Sequence, residues 1–316
     1  MKPSRKIPAD AAACLAGAVL ALITIAIFAS PVAAQTASTA HPAFQVTTTG
    51  AGPAIVMIPG LASSGATWDG TVAHLSPHYS CVVVTLAGFA GVPPIQGDLL
   101  TAARDQIAQY IRDHHLDRPI IMGHSLGGDI ALDLAARNPR LVGPVIIVDS
   151  LPFFAGAWFN ADSLAAAQPT IDRMRTGMDA MTHDQWLTTT RAGTSTNGLA
   201  TSAKDQKTLI DWGLTSDQKT VTDALIELVS TDLRPELKDI QAPVLVIGTW
   251  VGLKEYGVTA ASAGDLFHQQ YASVKDFHFA MSPTARHFVM WDDPDWFYHQ
   301  VDQFLAGPAR EVGQTR

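Results

Sequence analysis

Cysteine is nearly absent from this chain. Of 316 residues only Cys14 and Cys81 carry thiols, so there is no disulfide framework and no paired-cysteine zinc spacing. Charge is sparse too, with Asp, Glu, Lys and Arg at 16% of residues and a net charge of -8. That balance argues against nucleic acid as a partner, because phosphate binding needs a basic face. No internal repeat is present. What the chain has in quantity is apolar residues, 47% of the total, enough for a sizeable core and too many for a disordered chain.

One long apolar run stands apart at the start. Lys2, Arg5 and Lys6 precede an apolar stretch over residues 11–29, then Pro31 and the small residues Val32-Ala33-Ala34. Basic start, apolar run and small-residue site together read as a secretory leader over 1–34, cleaved before Gln35. The expected location is periplasmic or secreted. The alternative is an uncleaved anchor, since the run is about as long as a bilayer is thick, and only then would the membrane be a partner. Cys14 leaves with the leader. Cys81 lies in Cys81-Val82-Val83-Val84 and is expected to be a buried strand residue, not a nucleophile.

Beyond a linker and first-strand region over 35–52, short apolar runs alternate with helical patterns. Strands are expected at 54–58, 81–86, 120–122, 145–148, 244–247 and 273–280. Helices are expected at 99–114, 126–137 and 296–305; Leu100, Ala103, Ile107 and Ile111 line one face of the first. Strands alternating with helices specify an α/β fold, a mostly parallel central sheet with helices on both faces. The rhythm breaks over 151–240, which has helical patches and no strand run. That segment is expected to be a helical cap inserted into a body of 53–150 and 241–306, with 307–316 as a tail. A separate helical domain is the other reading.

The most informative motif is Gly123-His124-Ser125-Leu126-Gly127-Gly128, directly after one strand and directly before a helix. A serine at such a corner sits on a tight turn that pushes its hydroxyl beyond the sheet edge. Side chains at 123 and 127 would collide with the neighbouring backbone. In this setting the chain resembles the α/β-hydrolase family over residues 53–306. The resemblance implies a nucleophile at Ser125 and an oxyanion donor in the Leu126 amide, at a helix N-terminus that favours negative charge. Pro59-Gly60-Leu61-Ala62-Ser63-Ser64-Gly65, with Trp68 following, resembles the family's oxyanion loop and implies the Leu61 amide as second donor.

Eleven histidines are present. Ala285-Arg286-His287-Phe288 follows the last expected strand, where the family keeps its general base, and Asp292-Asp293-Pro294 continues the likeness. His287 is therefore the expected base. His124 is expected to pack or hydrogen-bond near the corner, and His268 and His278 have no such context. The family's usual acid follows the strand at 243–247, but that loop reads Gly248-Thr249-Trp250-Val251-Gly252-Leu253-Lys254-Glu255, without an aspartate at the usual place. Some members carry the acid one strand earlier, and here that position is Asp149. Glu255 and Asp265 are the alternatives.

These residues specify acyl transfer to water through Ser125, His287 and Asp149. The expected substrate is a small carboxylic ester with an apolar part, held by Phe153, Phe154, Trp158 and Phe159 at the opening of the cap; packing of cap on body would account for the same aromatics. Lactone, thioester, peptide and peracid chemistry share such a triad, and a non-catalytic binding protein of the same fold is the rival class. No metal and no organic cofactor is implied. The sequence carries no signal of oligomeric state.

Overall fold

The computed structural model describes residues 42–193, 196 and 198–307. The leader expected over 1–34, and all of the expected tail except Gly307, lie outside those residues.

Among the described residues seven strands form one sheet: β1 (Phe44–Thr49), β2 (Ala54–Ile58), β3 (Ser80–Leu86), β4 (Ile120–His124), β5 (Val145–Val148), β6 (Val244–Gly248) and β7 (Phe277–Met281). Their spatial order is β1-β3-β2-β4-β5-β6-β7. Only β1 runs antiparallel, against β3; the others pair in parallel. Every residue of β4, β5 and β6 is buried, as expected of central strands covered on both faces.

Alternate residues of each strand face different layers. Val56, Ile58, Ile121, Ile147 and Val246 join one apolar cluster with α2 (Leu99–Asp113) and α3 (Leu126–Arg137). Ile55, Met57, Met122, Ile146 and Ile247 join the other, with α1 (Asp69–Leu75), α10 (Val289–Asp292) and α11 (Pro294–Ala306). Each such side chain contributes about 1.5–3 kcal/mol when fully buried, so both faces hold the strands in one register.

Among the described residues five α-helices enter between the paired neighbours β5 and β6: α4 (Phe154–Phe159), α5 (Leu164–Asp179), α6 (His183–Arg191), α7 (Ala203–Thr215) and α8 (Gln218–Val229). Ser163, Thr182, Ser202 and Asp217 cap the last four of these through side-chain oxygens. The insertion is tied to the body by polar bonds. The Glu227 carboxylate of α8 accepts the Leu100 and Thr101 amides at 2.9 and 3.0 Å. It thus satisfies the first turn of α2, whose own N-cap Asp98 makes no side-chain bond.

Several boundaries differ from the sequence expectation. The last strand begins at Phe277, not at 273, because Phe277 is the residue that pairs with Val244. The helices α1 and α9 (Ala260–Gln270) have no counterpart in it. Cys81 is fully buried, and burial pushes its thiol pKa up.

Candidate active site

The parallel register sets the site. His124 pairs with Val148, and Val148 with Ile247, so Ser125, Asp149 and Gly248 follow in one row at the carboxyl ends of three adjacent strands. Open α/β sheets bind ligands at this edge.

Ser125 has φ +53° and ψ -122°, a conformation that costs about 1–3 kcal/mol for a residue other than glycine. Its backbone is held from both sides. The amide donates to Val148 O at 2.9 Å, and the carbonyl accepts from the amides of Gly128 (2.8 Å) and Asp129 (3.3 Å). A Cβ on Gly123 would collide with the Gly127 carbonyl, and one on Gly127 with Ile58 O. The corner therefore needs glycine at both places.

Asp149 also has a left-handed backbone, φ +46°. Its Oδ2 lies 2.6 Å from Nδ1 of His287. A carboxylate only accepts, so Nδ1 carries the proton and Nε2 is left as the basic nitrogen. The same carboxylate accepts from Thr249, the amide on Oδ1 at 2.9 Å and the hydroxyl on Oδ2 at 2.7 Å. The Asp149 and His287 side chains are 14% and 22% exposed, low enough to strengthen their interaction. Among the described residues no hydrogen bond joins Ser125 Oγ to His287; contacts of this kind often tighten only when a site closes on its ligand.

His287 lies in the loop between β7 and α10, and acidic residues brace that loop. Asp292 accepts the Arg286 amide at 2.9 Å, and Asp293 accepts the Thr284 hydroxyl at 2.6 Å. From the other side, Nε2 of the fully buried His124 donates to the His287 carbonyl at 3.0 Å. Burial, and secondarily the neighbouring His287, push the pKa of His124 well below its usual value, which keeps it neutral.

Gly60 packs directly on the corner. A Cβ there would lie 3.1 Å from His124 Nδ1 and 3.2 Å from Ser125 Cβ, so the residue that precedes Leu61 abuts the Ser125 corner. Among the described residues neither the Leu61 nor the Leu126 amide donates to a protein acceptor.

The other sequence candidates are placed elsewhere. Glu255 lies exposed on a 3-10 turn, Val251–Tyr256, and Asp265 is exposed on α9. His268 bonds Gly264 O within its own helix, and His278 pairs with Asp276. Phe153 is fully buried in the larger apolar cluster, with the Arg234 guanidinium 4.1 Å from its ring centroid. Phe154 is buried against Trp158, Phe159 is half-buried, and Trp158 is 53% exposed. Thr249 had no place in the sequence reading, and for His124, expected to pack or hydrogen-bond near the corner, the structure supplies the partner, the His287 carbonyl. Among the described residues no group of His, Cys, Asp and Glu is arranged to hold a metal ion.

Comparison with known proteins gives the family. Residues 55–300 match the alpha/beta hydrolase family. The chain belongs to that family. A pimeloyl-[acyl-carrier protein] methyl ester esterase of Nitrosomonas europaea is 29% identical over 269 residues, 81% of this chain and 97% of that one. A putative carbamate hydrolase RutD of Agrobacterium fabrum is 28% identical, covering 82% of this chain and 95% of the relative. Among solved structures, an esterase from Thermogutta terrifontis superposes with a TM-score of 0.68 at 16% identity, over 84% of this chain and 95% of that one. At that identity the likeness shows the α/β-hydrolase fold alone. The family match and the curated relatives mark this α/β hydrolase as an enzyme of the hydrolase class.

Proposed function

We propose that this α/β hydrolase cleaves a carboxylic ester through Ser125, His287 and Asp149, with an acyl-enzyme on Ser125. The observation that carries the reading is the 2.6 Å contact between Asp149 and His287, one strand away from the strained Ser125 corner. His287 Nε2 takes the Ser125 proton as Oγ attacks the carbonyl carbon. Asp149 holds the ring in the productive tautomer and stabilises the imidazolium that forms. Negative charge on the former carbonyl oxygen is met by the Leu61 and Leu126 amides, the latter at the positive end of α3. The imidazolium then protonates the leaving alcohol, and the same histidine activates water to release the acid. The relative named as a methyl ester esterase supports the ester assignment. The one named as a putative carbamate hydrolase supports carbamates as the second reading.

A fluorophosphonate probe together with p-nitrophenyl esters, lactones, thioesters and carbamates tests the reaction class. Labelling of Ser125 with ester turnover is expected; a folded protein that takes no label and turns over no substrate would place it among non-catalytic members of the fold. Asp149→Asn should lower kcat by roughly 10⁴-fold with folding retained. Glu255→Gln should change it by less than about tenfold. The opposite ranking would move the acid to the loop after β6.

Export is part of the same proposal. The mature chain is expected to begin at Gln35 in a periplasmic or secreted fraction, as N-terminal sequencing would read; an intact Met1 in the membrane fraction would mean an anchor.

A further inference from the structure

Resting on the triad reading above, we infer that Thr249 positions the Asp149 carboxylate for His287. A carboxylate turns easily about its last torsion, and a single bond to an imidazole does not fix its plane. Thr249 bonds both oxygens. Its amide donates to Oδ1 at 2.9 Å and its hydroxyl to Oδ2 at 2.7 Å. The hydroxyl must be the donor in that pair, since an ionised carboxylate has no proton to give.

The surroundings hold Thr249 in place. It follows the last residue of β6 and is nearly buried, at 9% exposure. The Asp149 amide donates to Ile247 O at 2.7 Å, and the Ser282 amide donates to Gly248 O at 3.0 Å. The end of β6 is thereby bonded both to the residue that carries the carboxylate and to the start of the loop that carries His287. The loop after β6 brings no carboxylate to the histidine. Its first residue instead brings two donors to the carboxylate that arrives from β5. The hydroxyl shares Oδ2 with His287 Nδ1, so it sets the direction from which the imidazole must approach.

Thr249→Val keeps the shape and the amide but removes the hydroxyl, whereas Thr249→Ser keeps both donors. Asp149→Asn is measured beside them. Thr249→Val is expected to lower kcat by about tenfold, the effect of losing one hydrogen bond to a charged group, with KM within about twofold. The far-downfield proton resonance of the His287–Asp149 bond should move in Thr249→Val, and Thr249→Ser should restore both rate and resonance. A role in packing alone would show lower stability with the resonance in place, and would overturn the inference. So would Thr249→Val at full rate while Asp149→Asn is inactive. If Asp149→Asn itself retained full rate, the triad reading would fail first and take this inference with it. Should Thr249→Val not fold, Thr249→Ala removes the same hydroxyl and carries the same expectations for kcat and resonance.

Discussion

The ring of His124 lies 4.5 Å, centroid to centroid, from the ring of His287, and its Nε2 donates to the His287 backbone carbonyl at 3.0 Å. The residue before the proposed nucleophile thus anchors the loop that carries the proposed base. His124→Phe keeps a ring in the space and removes the donor. A part-buried carbonyl left without a partner costs up to about 1–3 kcal/mol, and urea unfolding should show a loss within that range. The His287 side chain keeps its own bond to Asp149, so kcat should fall less than in Asp149→Asn. Unchanged stability in a folded His124→Phe protein would remove the bracing role.

Strain at Ser125 makes a second expectation. Its φ of +53° is a region that glycine enters at little cost. Ser125→Gly should therefore abolish probe labelling and ester turnover while raising stability by about 1 kcal/mol. Ser125→Ala should lose activity as fully, on the order of 10⁶-fold in kcat, without that gain, because alanine keeps the Cβ. Equal melting temperatures for the two variants would mean that the corner stores no strain.

The Ser125 corner and the position of His287, the proposed base, were legible because each sits in a local pattern. The run from β4 through Ser125 to α3 is a strand, a glycine-flanked serine and a helix, contiguous in sequence. His287 was legible from its place between the last strand and the closing helix. Asp149 could be named because the loop after β6 lacks the usual aspartate. Thr249 was not legible, since its partner is 100 residues away and a hydroxyl at a strand end has no distinctive spacing. The helix α9 was missed because its inward face is thin, with only Ala263, Phe267 and Gln270 buried. Its capping box uses Ser262 in place of the usual Glu or Gln. Phe153 and its neighbours show the other limit: apolar identity predicts burial but not which cavity or core receives the ring.

The aromatics can be separated by experiment on that basis. Phe153 is fully buried, so Phe153→Ala should cost about 3–5 kcal/mol and leave the relative rates on short and long acyl esters unchanged. Trp158 is 53% exposed, and Trp158→Ala should change stability by less than about 0.5 kcal/mol. If Trp158 borders the substrate path, its loss should shift preference towards short acyl chains. A shifted preference in Phe153→Ala, with stability retained, would return Phe153 to the pocket.

Asp129 offers a pH-dependent test of how α3 keeps its N-terminus fit for an anion. It lies in the first turn of the helix, is 3% exposed, and its Oδ1 has no partner among the described residues. Burial, followed by the negative neighbours Asp133 and Glu227, pushes its carboxyl well above the ordinary value of 3.8. Over the interval between 3.8 and the raised folded value, the folded protein holds a proton that the unfolded chain releases. The stability this group contributes is therefore full below the ordinary value and is lost as pH rises towards the folded one. Asp129→Asn cannot ionise, so wild type should lose stability relative to the variant by about 1.4 kcal/mol per pH unit across that interval. Urea unfolding of both proteins from about pH 5 to about pH 8 would read the difference. A neutral side chain here also leaves the Leu126 amide's partial positive charge uncancelled, so Asp129→Asn should retain ester turnover. Parallel stability curves would mean that Asp129 does not carry the extra proton, and a loss of turnover in a folded Asp129→Asn protein would mean that its charge serves the reaction.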